Sequence, residues 1–409
     1  MKWSVVVASA ALAAVSAAAI AADPEDVGLS RERLERIDRM LERRIAAGDL
    51  AGAIAIVARR GQVAHVSTYG VMDLETRQPM RADTLFRIAS MTKPIVGVGI
   101  MMMVEENKLR LGDPVSHYIP QFRNLTVAVA RPAGGSGAEP SFDTVPAARE
   151  ITIKDLLSHV SGLGSGPLSN STIEPVARRD GETLADYIPR LGSTALEFQP
   201  GTRWAYSPGP GFETLGRVLE VVSGLPLDEF LKQRIFTPLG MRDITFWPSD
   251  AQWPRVASVY RREDSGLVKQ TLPNDTFSRN VYFRGSGGLY STAESYVPFG
   301  RMLANGGELG GVRLLSRKSV EMLGAVHVPD TLTGRPAGEG FGLSVRVVTD
   351  HAARGTLLSD GTYGWSGAQG THFFVDPKEQ LVGVLMIQTP NVTEIRGDFE
   401  NLVAQAIVD

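Results

Sequence analysis

Apolar positions along this chain recur at two spacings, and the order in which the two alternate predicts its elements. Residues 31–47 carry Leu34, Ile37, Leu41 and Ile45 on one stripe, with arginine and glutamate on the other faces. That spacing predicts an amphipathic helix, capped by Ser30 and ended by Gly48. Residues 51–58 are a continuous apolar run. A turn at Arg60-Gly61-Gln62 and a second run at 63–69 follow, so the pair predicts a hairpin. A helix followed by a hairpin starts an antiparallel sheet with a helix on its face.

The apolar run 95–104 continues a helix that begins near Ser90 and reaches about residue 106. Met101, Met102 and Met103 within it are core filler. Residues 109–122 are turn-rich, with Asp113-Pro114 and Ile119-Pro120, and 131–148 are crowded with Gly, Pro, Ala and Ser and predict an exposed loop. Helical patterns return at 151–163, 183–191, 212–222 and 227–235. Residues 256–261 predict a strand, and a glycine-rich bend at 285–292 leads to a helix over 293–303, with another at 316–323. Strands are predicted at 341–348, 371–375 and 381–388, with a tight turn at Asp376-Pro-Lys-Glu, and a last helix at 398–408. Sheet-forming runs at both ends with helices between imply one sheet built from distant parts of the chain. The expected organisation is an α/β domain from 22–113 and 285–409, of the α+β type with an antiparallel sheet flanked by helices. A helix-rich insertion at 114–284 interrupts it.

Composition narrows the possibilities. The 409 residues are 43% apolar and 21% charged, with a formal net charge of −3. That is ordinary for a globular protein, too mild a charge to predict a nucleic-acid partner, and without a basic stripe. The first 21 residues read as a signal peptide: Lys2, an alanine-rich apolar run at 5–20, and a small-x-small site at Ala19-Ile20-Ala21. The run is short for a membrane anchor, and Asp-Pro-Glu-Asp follows it. A periplasmic or secreted protein with no membrane attachment after cleavage is expected. There is no cysteine, which excludes disulfides, thiolate metal sites and a cysteine nucleophile. The six histidines are scattered and no His-Glu-x-x-His occurs, so no metal and no cofactor is expected. Nothing in the pattern sets an oligomeric state.

The chemistry concentrates in three places. Ser90 and Lys93 form Ser-x-x-Lys, and no other serine has a lysine three residues later. On a helix this spacing puts both side chains on one face. A serine hydroxyl is a poor nucleophile until a base takes its proton, and a lysine becomes that base when burial lowers its pKa. Ala89, Met91, Ile95 and Val96 imply a dry setting. A capping serine beside a solvated lysine would show the same spacing. The second place is Pro200-Gly-Thr-Arg-Trp-Ala-Tyr206-Ser207-Pro208-Gly209, a rigid loop before a helix that can fix a tyrosine hydroxyl, although by itself the pattern suits a tyrosine packed in a glycine-proline turn better. The third is Tyr363-Gly364-Trp365-Ser366-Gly367-Ala368-Gln369-Gly370-Thr371, whose small residues let a substrate lie against the backbone. A backbone N–H there, with that of Ser90, can form an oxyanion hole.

In this order the three motifs resemble the serine β-lactamase and penicillin-binding-protein superfamily, closest to class C β-lactamases and the family VIII carboxylesterases. Leu156-Leu-Ser-His-Val-Ser-Gly-Leu163, Pro238-Leu-Gly-Met241 and Gly287-Gly-Leu-x-Ser-Thr292 agree, so the resemblance spans nearly the whole mature chain. It implies a β-lactamase/transpeptidase-like fold with the site between an α/β domain and an inserted helical one. It further implies that Ser90 is acylated, that Lys93 helps deprotonate it, and that Tyr206 shuttles protons to the leaving group and from the deacylating water. The Ala368 and Ser90 N–H groups would form the oxyanion hole, with Trp365, Ser366 and Gly367 against the substrate.

Two departures bear on the substrate. Pro208 stands where the lactamase Tyr-x-Asn motif has asparagine, and Trp365-Ser366-Gly367 replaces Lys-Thr-Gly. Tryptophan cannot pair with a substrate carboxylate but supplies an apolar wall. A serine carboxylesterase acting on small-molecule neutral esters of short to medium chain is therefore expected. A β-lactamase or D-Ala-D-Ala carboxypeptidase is the alternative, beside an amide hydrolase, an acyltransferase or a non-catalytic ligand-binding relative. Gly364-x-Ser366-x-Ala368 also nearly matches the nucleophile elbow of α/β-hydrolases. The only later histidine, His372, lies six residues on, an order and separation that do not suit that triad.

His159, beside a glycine turn, reads as a structural histidine satisfying helix-terminal carbonyls rather than as a base.

Overall fold

The computed structural model describes residues 21–131, 142–272, 281–332 and 334–409. The expected signal peptide thus lies, but for Ala21, outside the described residues, as does 132–141 of the expected loop. No helix among the described residues is long and apolar enough to cross a membrane.

The fold is mixed α/β around an antiparallel sheet whose strands come from both ends of the chain. They are β1 (Gly52–Arg59), β2 (Gln62–Asp73), β3 (Gln78–Pro79), β4 (Glu339–Phe341), β5 (Arg346–Val348), β6 (Tyr363–Ser366), β7 (His372–Asp376) and β8 (Leu381–Ile387). Their order is β4-β5-β6-β7-β8-β1-β2-β3. The seam between the two ends is β1 against β8, with Ala53 opposite Ile387 and Arg59 opposite Leu381. β1 is buried along its whole length, which explains its unbroken apolar run.

Alternation along the strands divides the core in two. Ala53, Ala55, Val57, Leu385 and Ile387 face helices α1 (Arg31–Ala46) and α5 (Thr393–Ala404), meeting Leu34, Ile37, Phe399 and Val403. Ile54, Ile56, Val384 and Met386 face the other way, toward α2 (Thr92–Glu105) and α4 (Ala293–Ala304). Each fully buried Leu or Ile contributes roughly 1.5–3 kcal/mol, so the two faces hold the sheet as the middle layer. Ser30 caps α1 by accepting from Arg33 N–H, as the stripe predicts. α2 is buried all round from Thr92 to Met103. It packs so closely that a Cβ on Gly97 would lie 2.2 Å from Ser344 Oγ.

Several predicted elements change shape. The run 341–348 is two strands, β4 and β5, because Ser344 reverses the chain at φ 71°. Part of the expected 131–148 loop, Phe142–Pro146, is a strand paired with Thr126–Ala130, which also pairs with Ala195–Leu196. The last helix starts five residues earlier than predicted, at Thr393, and ends at Ala404. The residues after it are drawn toward the first helix by a bridge from Ile407 to Leu29. In 151–163 only Ile153–Leu157 is helical, opened by a Thr152–Asp155 capping box and ended where His159 takes φ 58°. α3 (Pro210–Ser223) packs beside α2, and this contact brings the Tyr206 loop to Ser90.

Candidate active site

Ser90 sits in a short turn, Ala89–Met91, that leads straight into α2. The predicted helix therefore begins at Thr92, two residues late, yet the three-residue spacing still puts Ser90 and Lys93 together. Ala89 adopts φ 44°, a left-handed conformation that costs of order 1–3 kcal/mol in a non-glycine residue and persists only where its surroundings over-determine it. They do so here. Ile88 N–H donates to Leu289 O (3.1 Å), Thr371 Oγ1 donates to Ile88 O (3.2 Å) and Tyr296 Oη donates to Met91 O (2.9 Å).

Lys93 is fully buried among Met91, Ile95 and Val96, the dry setting the sequence implies. Its Nζ donates to Ser286 O (2.6 Å) and Pro208 O (2.9 Å) and lies 3.3 Å from Ser90 Oγ. The rings of Tyr206 and Phe212 lie 4.9 and 5.6 Å from it. Burial lowers its pKa from the usual lysine value, because the charged form loses its hydration. The geometry gives this a direction. Two carbonyls hold two N–H bonds, so on deprotonation the remaining position, facing Ser90, is a lone pair able to take the hydroxyl proton.

Tyr206 Oη donates to Ser90 Oγ at 2.7 Å. Its ring is held between His159 (centroids 4.7 Å apart) and Trp365 (5.5 Å). His159 has a different job from the predicted one. Its Nδ1 accepts from Ser207 N–H (3.2 Å) and its carbonyl accepts from Ala205 N–H (3.1 Å), so it clamps the loop on both sides of Tyr206. Burial, then the nearby Lys93 and Arg335 charges, hold its pKa well below the ordinary histidine value, which keeps Nδ1 an acceptor.

The third motif closes the site. β6 ends at Ser366, and Trp365 packs edge-on against Phe341 (5.2 Å) as well as against Tyr206. Gly367 meets the Ser90 turn directly: a Cβ there would lie 2.1 Å from Thr371 Oγ1 and 2.5 Å from Ile88 O. Ser90, Tyr206, Trp365, Ser366, Gly367 and Ala368 line one cleft of about 800 Å³. All the predicted site residues except buried Lys93 thus reach this cleft, and Lys93 touches it through Ser90.

Other residues act at the site through roles that the sequence does not signal. Pro208, which replaces the motif asparagine, supplies a carbonyl to Lys93, as does Ser286. Glu213 on α3 is buried and accepts from Tyr282 Oη (2.6 Å) and Ser286 Oγ (2.8 Å), fixing the segment that carries the Ser286 carbonyl. The far wall of the cleft is charged. Arg354 contacts Glu339 and Glu400 (3.3 Å each), Arg346 is paired with Glu400, and Arg396 donates to Gly367 O (2.8 Å). Ser366 and His372, set apart by the elbow argument, do meet. They are opposite partners on β6 and β7, and Ser366 Oγ lies 2.9 Å from His372 Nδ1. Strand partners on a hairpin are neighbours whatever their separation, so a register reading would have found the pair. Among the described residues no group of three His, Asp or Glu could hold a metal ion.

A serine bonded at once to a buried lysine and a tyrosine, at a helix start beside the end of β6, defines a serine hydrolase of β-lactamase type. The chain belongs to the Beta-lactamase family, whose model matches residues 37–406. Protein Rv1367c of Mycobacterium tuberculosis is 35% identical over 84% of this chain and 86% of its own. Esterase EstB of Burkholderia gladioli is 32% identical, over 90% and 93%. The solved structure of EstCE1, a hydrolase with promiscuous acyltransferase activity, superposes with a TM-score of 0.76 at 25% identity, over 92% of this chain and 99% of that one.

Gly367→Ala tests the contact between the third motif and the Ser90 turn. Its Cβ cannot be accommodated without moving the backbone at Ile88. Stability is expected to fall by roughly 1–3 kcal/mol in urea unfolding, and kcat to fall by about 10²-fold, since small displacements of reacting groups are costly. Unchanged kcat would show that the contact does not position Ser90.

Proposed function

We propose that this protein is a carboxylesterase that hydrolyses short- to medium-chain esters through an acyl-enzyme on Ser90. The observation that carries it is the simultaneous contact of Ser90 Oγ with Tyr206 Oη and Lys93 Nζ. Ser90 Oγ attacks the ester carbonyl as its proton passes to Lys93 Nζ, and the N–H groups of Ser90 and Ala368 stabilise the oxyanion. The C–O bond to the alcohol then breaks. Tyr206 Oη gives the leaving oxygen its proton and regains one from Lys93. Water, deprotonated through Tyr206, attacks the acyl-enzyme; the acid leaves and Ser90 recovers its proton.

Preference for esters over β-lactams rests on Trp365 and Pro208. The indole walls the cleft where a lactamase cation would stand. The nearby cations are engaged elsewhere, Arg396 on the Gly367 and Gly370 carbonyls, Arg346 and Arg354 on glutamates. Mature protein assayed with nitrophenyl butanoate and, separately, nitrocefin is expected to turn over the ester with a kcat/KM about 10- to 10²-fold higher, the loss of a charged contact being worth about 1.5–3 kcal/mol. Efficient nitrocefin hydrolysis with weak esterase activity would overturn the assignment in favour of a β-lactamase.

A further inference from the structure

Ser366 and His372 belong to a buried chain that the hydrolytic cycle does not use. His372 Nδ1 is 2.9 Å from Ser366 Oγ, and on the other side of the ring Nε2 is 2.9 Å from Glu400 Oε1, a close polar contact not aligned as a hydrogen bond. His372 and Glu400 are 1% and 2% exposed in their side chains, while Ser366 lines the cleft with Ser90. Glu400 is held by Arg346 and by Arg354 (3.3 Å), contacts that favour its ionised, acceptor-only form. A bare Nε2 lone pair against that carboxylate would be repelled, so Nε2 carries the ring proton. The Trp365 carbonyl also lies beside the ring and would suit the opposite tautomer, but only by leaving that repulsion in place. Nδ1 is therefore an acceptor, and the Ser366 hydroxyl turns its proton inward.

Two outcomes are open to a serine bonded to a histidine and an acid: it can become a nucleophile, or it can be locked. As a nucleophile Ser366 would pass its proton to His372 and make an imidazolium. Burial opposes that charge first, and Arg346, Arg396 and Arg354 oppose it next, so His372 stays neutral well below the ordinary histidine range. The proton stays on Ser366, aimed at Nδ1.

We infer that Ser366 offers the cleft only acceptor lone pairs, and that the enzyme selects esters bearing a hydroxyl or N–H group that can donate to it. His372 acts as a positioning residue, and Ser366 as the specificity determinant. This rests on the esterase assignment and deepens it by naming a substrate class. A site built to accept from a donor discriminates strongly against analogues that lack one, since the half-buried acceptor is covered by the bound substrate and left unpaired.

Two matched pairs test this, one for each side of the ester. Nitrophenyl β-hydroxybutanoate is compared with nitrophenyl β-methoxybutanoate, and ethylene glycol monobutanoate with its methyl ether, by kcat/KM. In the wild type one pair is expected to favour the hydroxyl compound by about tenfold or more. The ratio should fall to within about twofold in Ser366→Ala, and in His372→Phe, which frees the hydroxyl to rotate. A steric preference against the ether would survive both substitutions. Wild-type ratios near one in both pairs, a preference for the ether, or a preference that persists in Ser366→Ala would each overturn the inference; none of these needs the His372 variant to fold. Nitrophenyl butanoate turnover that survives Ser90→Ala would instead overturn the underlying Ser90 assignment, so the two failures are told apart.

Discussion

Replacing Ser90 by alanine is expected to lower kcat for nitrophenyl butanoate by about 10⁴-fold or more, the scale of losing a nucleophile from a cooperating set. The substitution removes one oxygen from a half-buried position. The turn around it is held by main-chain and neighbouring contacts, from Ile88 N–H, Thr371 and Tyr296. Folding is therefore expected to be unaffected and the loss to be chemical. Intact-mass detection sharpens the result. The wild type should gain the mass of an acyl group from a slowly deacylating ester, and the alanine variant should not. Turnover that survives would rule out the Ser90 acyl-enzyme and direct attention to Ser366, the other serine in the cleft with a base within hydrogen-bond distance.

Lys93→Met is expected to cost about 10³-fold in kcat, at the level of removing a positioned general base, and Lys93→Arg should not rescue it, because a guanidinium does not give up its proton at accessible pH. The wild-type pH profile should carry the signature of the neutral amine. Activity is expected to rise with pH through the lowered lysine pKa and to fall on acidification, with that limb below the ordinary lysine value of 10.5. The same shift acts on stability. Between the lowered folded-state value and 10.5 the unfolded chain binds a proton that the folded chain does not, so stability rises with pH across that window. Urea unfolding of wild type and Lys93→Met at two pH values in the window would show a slope in the first that is smaller in the second. An identical slope would mean that Lys93 remains charged in the folded protein.

Much of the fold follows from local pattern. The α1 stripe, the β1–β2 hairpin, α4 and the strands β7 and β8 fall close to where periodicity and turn residues put them. The departures share a cause. Phe142–Pro146 reads as loop because its turn-rich composition outweighs five residues of strand, and pairing with Thr126–Ala130 decides otherwise. The run 341–348 is apolar except at Ser344 and Arg346, and a reversal at Ser344, whose N–H donates to Leu157 O, splits it. His159 reads as a helix-end donor, yet its ring accepts from Ser207 across 48 residues of chain. In each case a contact distant in sequence overrides a local preference.

The sequence by itself determined the mixed α/β class and the meeting of the chain's two ends in one sheet, and it singled out Ser90 and Lys93 by their spacing, and Tyr206 by family resemblance, as the candidate set. Those depend on the period of apolar residues and on side chains spaced along one element or placed in one loop, which the chain spells out directly. Only the tertiary structure decided what state those groups are in. Lys93 is held by the carbonyls of Pro208 and Ser286, and a main-chain carbonyl is the same whatever residue bears it. Ser366 is joined to Glu400 through His372 across β6, β7 and α5, a chain of contacts that exists only once the sheet has its register. Burial supplies the rest: it removes the water that would keep a lysine charged, and no reading of neighbouring residues measures how completely that water is excluded.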